Sequence, residues 1–378
     1  METILFNQTK MGDLLLSLFL LMAFIQFFYW GFFYSRLAFY KEKRKNSKAG
    51  PVSVVICAKD EAENLKKYLP VILNQHYSDY EVIVVNDCSE DNTSEVLKEF
   101  EQKYPHLRTT TIKKDEKFTH GKKLALTIGI KAAKNEWLLL TDADCVPETP
   151  DWIAGMQKNF TNDTSVVLGY GGYFHKKGLL NNYIRNDTLY TAIQYFSFAM
   201  AGVPYMGVGR NLAYRSSVFF ENKGFSSHVK LDSGDDDLFV NQIAGKKNTK
   251  VEFNAKSHTR SEAKNTFQKW AKQKKRHLTT GKHYNLKTKW LLGVELFSRV
   301  AFYMFFIGLM LNMKFVILLV SIFVLRSVLI GIIINLSAKH LNEKFLFLTS
   351  QTYDFVSPFM NFAFVIANKF SSRKPSWK

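Results

Sequence analysis

Residues 137–144 form an apolar run of strand length that ends in two carboxylates. Asp142 and Asp144 are separated only by the small residue Ala143. A buried strand delivers its last residues to the crevice where α/β sheets bind nucleotides, and carboxylate oxygens there can hold a hard divalent cation. The pattern therefore predicts a metal and diphosphate site. A solvated turn is the alternative, because Asp-x-Asp also occurs in many loops.

Predicted strands and helices alternate along the chain before this carboxylate pair. Residues 51–58 and 81–87 are apolar runs that end in polar residues, as is typical of buried parallel strands. Residues 61–75, 91–104 and 122–133 carry apolar residues at helical spacing. This order predicts βαβ units and a Rossmann-like α/β half-domain that binds a nucleotide.

A glycine-rich segment at 207–215 could contact a ligand. Glycines such as Gly209 permit a close approach of the backbone, and Asn211 could hydrogen-bond hydroxyl groups. The alternative is a glycine-rich turn that leads into a strand.

Three adjacent carboxylates, Asp235, Asp236 and Asp237, follow a glycine. Their mutual repulsion raises the pKa of at least one of them, which suits that residue to accept a proton. An acidic helix N-terminus is the alternative interpretation.

A basic cluster at 273–277 places Gln273, Arg276 and His277 on one face of a predicted helix. Basic amphipathic helices are common at membrane surfaces, so a lipid-binding helix is the alternative to a ligand site.

Hydrophobic residues are concentrated at the two ends of the chain. Residues 14–33, 290–311 and 315–336 approach the roughly 20 apolar residues that a helix needs to cross a bilayer. A cleaved signal peptide is the alternative for the first run, which lacks a basic lead and is not followed by a small-residue cleavage site.

Basic residues follow the first apolar run and predict its orientation. They are Lys41, Lys43, Arg44, Lys45 and Lys48. By the positive-inside rule, this cluster and the region that follows it lie in the cytoplasm. We therefore expect an inner-membrane protein whose catalytic region is cytoplasmic. The three cysteines have neither zinc-site nor disulfide spacing, which agrees with a reducing compartment.

The apolar stretch 345–367 is interrupted by Asp354 and Pro358, and a basic tail follows it at 368–378. A full crossing would place that tail outside, so we expect a re-entrant or interfacial segment, with an additional crossing as the alternative. Arg326 lies midway along an apolar helix, where its charge is costly unless it faces protein, water or a lipid headgroup.

The formal net charge of +18 could indicate nucleic-acid binding. Many of the positive charges, however, flank the apolar runs or lie in 269–289, where they can contact anionic lipid headgroups. We therefore expect a membrane as partner and no nucleic acid.

Taken in order, these motifs resemble the membrane-bound inverting glycosyltransferases of family 2, which include cellulose, chitin and hyaluronan synthases and ceramide glucosyltransferases. The resemblance covers roughly residues 51–284 and the flanking helices. It implies a GT-A fold, a nucleotide-sugar donor, with UDP favoured over GDP, and Mg²⁺ or Mn²⁺ as cofactor.

The resemblance also implies roles for single residues. It places Ala58, Glu61, Asp87, Lys122, Asp142, Gln273 and Arg276 at the donor, Asp142 and Asp144 at the metal, Gly209, Asn211, Trp270 and His277 at the acceptor, and Asp235, Asp236 and Asp237 at the catalytic base. Asp236 is the expected base, with Asp237 as the alternative register. His277 stands where the synthases have Trp, which weighs against processive polymer synthesis.

The sequence thus predicts an enzyme that transfers a sugar to a lipid or lipid-linked acceptor at the cytoplasmic face of the membrane. The alternatives are a processive polysaccharide synthase, a nucleotidyltransferase and a non-catalytic scaffold or transport subunit with a degenerate transferase domain. The predicted order is a transmembrane helix (1–40), a GT-A domain (50–265), an amphipathic interface helix (266–289), two transmembrane helices (290–336), the segment 345–367 and the basic tail 368–378.

Overall fold

A computed structural model describes residues 2–41, 50–113, 121–311 and 315–370. Its helices are α1 Glu2–Phe28, α2 Ser35–Ala38, α3 Ala62–Leu73, α4 Thr93–Lys103, α5 Lys122–Ala132, α6 Trp152–Gln157, α7 Leu179–Met200, α8 Ser216–Glu221, α9 Asp237–Ile243, α10 Phe267–Leu278, α11 Leu286–Met310, α12 Val316–His340 and α13 Phe347–Phe370. Its strands are β1 Val52–Ala58, β2 Tyr80–Asp87, β3 Leu107–Ile112, β4 Trp137–Asp142, β5 Cys145–Pro147, β6 Val166–Leu168, β7 Gly171–Tyr173, β8 Leu212–Arg215, β9 Thr249–Val251 and β10 Thr259–Ser261.

A seven-stranded mixed sheet has the order β3-β2-β1-β4-β8-β6-β9. Strands β1, β2, β3 and β4 are parallel to one another, and β8 runs antiparallel to β4 and β6. Every residue of β1 is buried, as the continuous apolar run at 51–58 predicts. The predicted strands at 51–58, 81–87 and 137–144 are confirmed, with β4 ending at Asp142.

Helices cover both faces of this sheet. Val54 and Ile56 of β1 face one core with α3, α4 and α6, whereas Val55 and Cys57 face a second core with α5 and α7. This alternation is expected, because successive side chains of a strand point to opposite faces of the sheet. The predicted helices at 61–75, 91–104 and 122–133 are present as α3, α4 and α5.

A second sheet of three short strands, in the order β5-β10-β7, lies beside the first. Strand β5 begins directly after Asp144, and β10 pairs with it in antiparallel register. The second sheet therefore ties the segment that follows the carboxylate pair to residues more than a hundred positions later in the chain.

Three helical segments are long and apolar enough to cross a membrane: Met11–Ala38, Leu286–Met310 and Val316–His340. The first contains a π-helical segment, Tyr29–Tyr34, that joins α1 to α2. Helix α11 begins at Leu286, which lies inside the predicted interface segment 266–289. Helix α13 continues through Pro358, and its predicted re-entrant or interfacial placement stays a prediction.

Some sequence predictions concern residues outside the described ranges. They are the basic residues Lys43, Arg44, Lys45 and Lys48, the connection at 312–314 and the end of the basic tail at 371–378.

The buried charge of Arg326 has partners on three other helices. Its guanidinium donates to Asp354 Oδ2 of α13 at 2.8 Å, to the Tyr303 hydroxyl of α11 at 3.0 Å and to Gln26 Oε1 of α1 at 2.8 Å. The side chains of Arg326 and Asp354 are both 1% exposed. Asp354, which is also 3.5 Å from Arg299 Nη1, therefore offsets the charge of Arg326 between the helices.

Arg326→Met should destabilise the protein by about 3–5 kcal/mol, because it leaves the carboxylate of Asp354 buried beside fewer donors. Asp354→Leu should have a comparable effect, and the double variant should recover much of the loss. Thermal unfolding of the full chain in detergent micelles measures all three. Single-variant losses that simply add in the double variant would contradict an energetic coupling between the two residues.

Candidate active site

One cavity of about 790 Å³ lies at the carboxyl ends of β1 and β4. Its lining includes most of the residues that the sequence assigns to a site: Glu61, Lys122, Asp142, Asp144, Gly209, Asp235, Asp236, Asp237, Trp270, Gln273, Arg276 and His277. Parallel strands bring their carboxyl ends to the same edge of a sheet, which explains why residues far apart in the chain meet here.

The ammonium group of Lys122 lies between two of the carboxylates. Its Nζ is 2.8 Å from Asp142 Oδ1 and 3.0 Å from Asp235 Oδ2. Burial disfavours the charged lysine, but these two carboxylates outweigh burial and raise the pKa of Lys122 well above its usual value. Burial likewise opposes the ionisation of Asp235, but Lys122 outweighs it and lowers the pKa of Asp235. Lys122 is therefore the internal counter-ion of the acidic centre, the group of carboxylates formed by Asp142, Asp144, Asp235, Asp236 and Asp237.

Asp236 is the partly exposed member of the acidic triplet. Its Oδ2 accepts a hydrogen bond from the Gly209 amide at 2.9 Å, and its Oδ1 accepts one from the Asp237 amide at 2.8 Å. Burial, followed by the charges of Asp235 and Asp237, raises the pKa of Asp236 to about 7. A carboxyl group with this pKa can accept a proton near neutral pH.

Asp237 is held by hydroxyl groups that follow α10. The Tyr284 hydroxyl donates to its Oδ2 at 2.7 Å, and the Thr280 hydroxyl donates to the same oxygen. The Leu238 amide donates to its Oδ1 at 2.8 Å. These bonds make Asp237 an anchor between the acidic centre and the segment after α10, and they favour Asp236 as the base.

Asp142 and Asp144 have the chemistry of a site for a hard divalent cation. Their carboxylate oxygens and the Cys145 sulfur lie within 4.8 Å of one another. Burial raises the pKa of the Cys145 thiol well above its usual value, so the sulfur stays protonated. Carboxylates suit Mg²⁺ and Mn²⁺, whereas a neutral thiol does not. The two aspartates therefore fit the predicted metal.

Helix α10 presents its predicted residues to the cavity. The Arg276 Nε is buried and has no hydrogen-bond partner among the described residues. Desolvation at the cavity wall, followed by the charges of Arg276 and Lys274, lowers the pKa of His277 to about 3, which favours a neutral imidazole. The Trp270 ring packs in a buried cluster with Ile184 and Phe364. This face of α10 combines a guanidinium whose Nε is unpartnered with a neutral imidazole.

The structure places Asn211 outside the cavity lining, and its predicted acceptor contact stays a prediction. This residue is fully buried. Its Nδ2 donates to the carbonyl oxygens of Tyr170 at 2.9 Å and Ser257 at 2.7 Å, and its Oδ1 accepts from Trp152 Nε1 at 3.0 Å. Its amide is therefore committed to the core and is not part of the cavity lining.

Two residues predicted to contact the donor are not part of the cavity lining. Ala58 and Asp87 are buried at the ends of β1 and β2, and neither is among the described residues that line the cavity. Their contacts with a donor stay predictions.

Sequence reasoning also missed part of the cavity wall. Leu292 and Leu296 of α11 and Val365 of α13 line it together with the acidic centre. Arg210 lines it as well, and its position between Gly209 and Asn211 in the motif at 207–215 was the signal available in the sequence.

Residues 53–219 match the family model Glycosyl transferase family 2. This chain carries a glycosyltransferase family 2 domain. The poly-beta-1,6-N-acetyl-D-glucosamine synthase of Staphylococcus epidermidis is 31% identical over 104 residues, which cover 28% of this chain and 24% of that protein. The glycosyltransferase AglE of Haloferax volcanii is 37% identical over 98 residues, 25% of this chain and 31% of AglE. These matches therefore span a quarter to a third of each relative.

A longer match is with the probable glycosyltransferase YdaM of Bacillus subtilis, which is 24% identical over 291 residues, 71% of this chain and 66% of YdaM. Among solved structures, the mannosyltransferase PcManGT of Pyrobaculum calidifontis, in complex with GDP-Man and Mn²⁺, has a TM-score of 0.62. It is 15% identical and covers 95% of this chain and 100% of its own. The shared architecture confirms the predicted GT-A fold.

Lys122→Met should destabilise the metal-free protein by about 1–3 kcal/mol, because it removes the counter-ion of Asp142 and Asp235. Lys131 is exposed on the same helix, so Lys131→Met is the matched control and should change stability by less than about 0.5 kcal/mol. Thermal unfolding with EDTA present measures both variants. Equal stability of the two would show that the lysine does not neutralise the acidic centre.

Proposed function

We propose that the protein is a metal-dependent inverting glycosyltransferase that moves a sugar from a nucleotide-diphosphate donor to a lipid or lipid-linked acceptor. The observation that carries this proposal is the continuity of the cavity. It joins Asp144 and Asp236 to Leu292 and Leu296 of α11 and to Val365 of α13. An acceptor held among apolar helices can thereby present its polar end to the acidic centre.

The donor end has the groups that a nucleotide diphosphate needs. Asp142 and Asp144 fit a divalent cation, and the structurally similar PcManGT was solved with GDP-Man and Mn²⁺. The unpartnered Nε of Arg276 supplies a hydrogen-bond donor for phosphate oxygens. The resemblance to family 2 favours UDP over GDP as the nucleotide of this donor.

The proposed reaction is a single displacement at the anomeric carbon of the donor sugar. Asp236 takes the proton of an acceptor hydroxyl as that oxygen bonds to the anomeric carbon, and the bond from this carbon to the diphosphate breaks on the opposite face. The guanidinium of Arg276 offsets the charge of the departing diphosphate. A divalent cation on Asp142 and Asp144 would add Lewis-acid neutralisation of the same charge.

The membrane placement of this reaction rests on the apolar helices and the basic residues beside them. Three helical segments have the length and composition to cross a bilayer. The cluster of Lys41 to Lys48 favours a cytoplasmic catalytic domain by the positive-inside rule. In a bacterial cell this is the cytoplasmic face of the inner membrane, where nucleotide sugars are available.

A processive polysaccharide synthase is the second candidate. The tyrosines Tyr190, Tyr205, Tyr284 and Tyr353 line the cavity, and aromatic rings can stack on sugars. The identity of 31% with a polysaccharide synthase also favours it. His277 in place of Trp weighs against it, because the imidazole offers a smaller stacking surface. The length of the product separates single transfer from polymerisation.

The purified full chain in lipid nanodiscs, with a membrane lipid extract as the source of acceptor, should release nucleotide from one member of a panel of UDP- and GDP-sugars. Release should need Mn²⁺ or Mg²⁺, stop with EDTA and fall by roughly 100-fold or more in Asp144→Asn, because the variant loses a carboxylate ligand. A coupled nucleotide-release assay measures it. Metal-independent release, or an unchanged Asp144→Asn variant, would contradict the proposal. A scaffold would show no release even where it bound the donor.

Asp236→Asn should lower turnover by roughly 10²–10⁴-fold, because an amide cannot accept the proton. In the wild type, kcat/KM should rise with pH and level off above about 7, since only the ionised Asp236 acts as base. Asp237→Asn is the control for register and should mainly lower stability, because it weakens the bonds from Thr280 and Tyr284. A larger turnover loss in Asp237→Asn than in Asp236→Asn would assign the base to Asp237.

A further inference from the structure

The backbone at Arg210 is fixed between the two halves of the site. The Arg210 carbonyl oxygen accepts hydrogen bonds from the hydroxyls of Thr141 and Thr259, each at 3.0 Å. Thr141 directly precedes Asp142 at the end of β4. The preceding amide, that of Gly209, donates to Asp236 at 2.9 Å. The position of Arg210 is thereby set relative to both the metal carboxylates and the proposed base.

The side chain of Arg210 is oriented but not saturated. Its guanidinium carbon lies 4.3 Å from the centroid of the Tyr173 ring. Its Nη1 donates to the Gly172 carbonyl oxygen at 3.2 Å and approaches Ser261 Oγ at 3.4 Å. Within the described residues, Nε and Nη2 of Arg210 have no hydrogen-bond partner and the guanidinium forms no ion pair. Arginine has five donors, so most of this guanidinium is available to a ligand in the cavity.

The charge of Arg210 is close to the metal carboxylates without being paired to them. Burial disfavours its charge, but Tyr173, Cys145, Asp142 and Asp144 together raise the pKa of Arg210, which keeps it cationic. Three other cations of the cavity wall are in ion pairs, whereas no ion pair is recorded for Arg276 among the described residues. Lys122 pairs with Asp142, Lys274 with Asp187 and Arg299 with Glu295. A cationic fork without an anion, beside the proposed metal site, indicates that the anion comes from a ligand.

We propose that Arg210 donates hydrogen bonds to the phosphate oxygens of the nucleoside diphosphate in the donor. This inference rests on the proposed function and adds a donor-binding residue that the sequence did not assign. Guanidinium groups bind phosphate oxygens in a fork geometry, and this one packs against the Tyr173 ring. Arg210 thus replaces Asn211 as the side chain through which the motif at 207–215 acts on a ligand.

A lipid-linked acceptor could also carry phosphate, but the position of Arg210 favours the donor. Arg210 lines the same part of the cavity as Asp142, since its carbonyl oxygen accepts from Thr141, the residue before Asp142, whereas Leu292 and Val365 belong to the apolar part of the wall. The metal carboxylates and the guanidinium would therefore neutralise the same diphosphate.

Competition binding to the full chain in nanodiscs, with Mg²⁺ present, tests the proposal. The uridine series UDP, UMP and uridine competes with labelled UDP. The guanosine series GDP, GMP and guanosine competes with labelled GDP. Arg210→Gln should weaken diphosphate binding by about 10- to 100-fold and nucleoside binding by less than about twofold. Arg210→Lys should give an intermediate loss, because lysine restores the charge without the fork.

Arg215 provides the matched control. It lies five positions later and also stacks on an aromatic ring, that of Trp137, at 4.9 Å. Its Nε donates to the Thr164 carbonyl oxygen at 2.7 Å, and it is not among the residues that line the cavity. Arg215→Gln should leave diphosphate affinity within about twofold of the wild type.

The possible outcomes separate this inference from the proposed function. Equal losses for nucleoside and diphosphate in Arg210→Gln would assign Arg210 a purely structural role. Unchanged diphosphate binding combined with weaker binding of a polyprenyl phosphate would move the contact to the acceptor, and unchanged binding of every probe would exclude it. A wild-type protein that binds neither UDP nor GDP would overturn the proposed function and this inference together.

Discussion

Electrostatic repulsion among the buried carboxylates around the cavity is the constraint on which the rest of the structure depends. Lys122 at the start of α5 offsets it through contacts of 2.8 Å and 3.0 Å with Asp142 and Asp235. The next residue, Lys123, donates to the carbonyl oxygens of His228, Leu231 and Ser233 at 2.6–2.8 Å. One lysine therefore neutralises the acidic residues, and its neighbour shapes the loop that delivers them. Both depend on the placement of α5 against β1 and β2, which the apolar core of that face determines.

A second set of buried charges holds the C-terminal helices against the catalytic domain. Glu343, in the connection between α12 and α13, accepts hydrogen bonds from Arg185 of α7 and Arg260 of β10. The Tyr170 hydroxyl donates to the same carboxylate at 2.8 Å. Breaking such a buried cluster is costly, because each charge would lose its partner away from water. The α13 wall of the cavity therefore keeps a fixed position relative to β10, and through β10 to the strand that follows Asp144.

The parts of the fold that the sequence predicted are those with a strong local pattern. Strands β1, β2 and β4 are continuous apolar runs because both of their faces are buried. Helices α3 to α5 show apolar residues at helical spacing because one face of each is buried. Strand β3, Leu107–Ile112, was missed because it lies at the sheet edge, where Leu107 is its only buried residue. The three-residue strands of the second sheet are too short to show periodicity. The burial of Asn211 and the pairing of Arg326 with Asp354 depend on contacts between distant segments, which no local pattern records.

The three consecutive aspartates at 235–237 have three different environments. Asp235 has a cation beside it, Asp237 has two hydroxyl donors, and Asp236 has amide donors and two like charges. Local sequence could not distinguish them, because a pKa is set by burial, neighbouring charge and hydrogen bonding and not by residue type. The hydroxyl donors of Asp237 come from Thr280 and Tyr284, just after α10. The helix that presents Arg276 to the cavity and the triplet that holds the proposed base are therefore fixed by the same contacts, so a shift of one must displace the other.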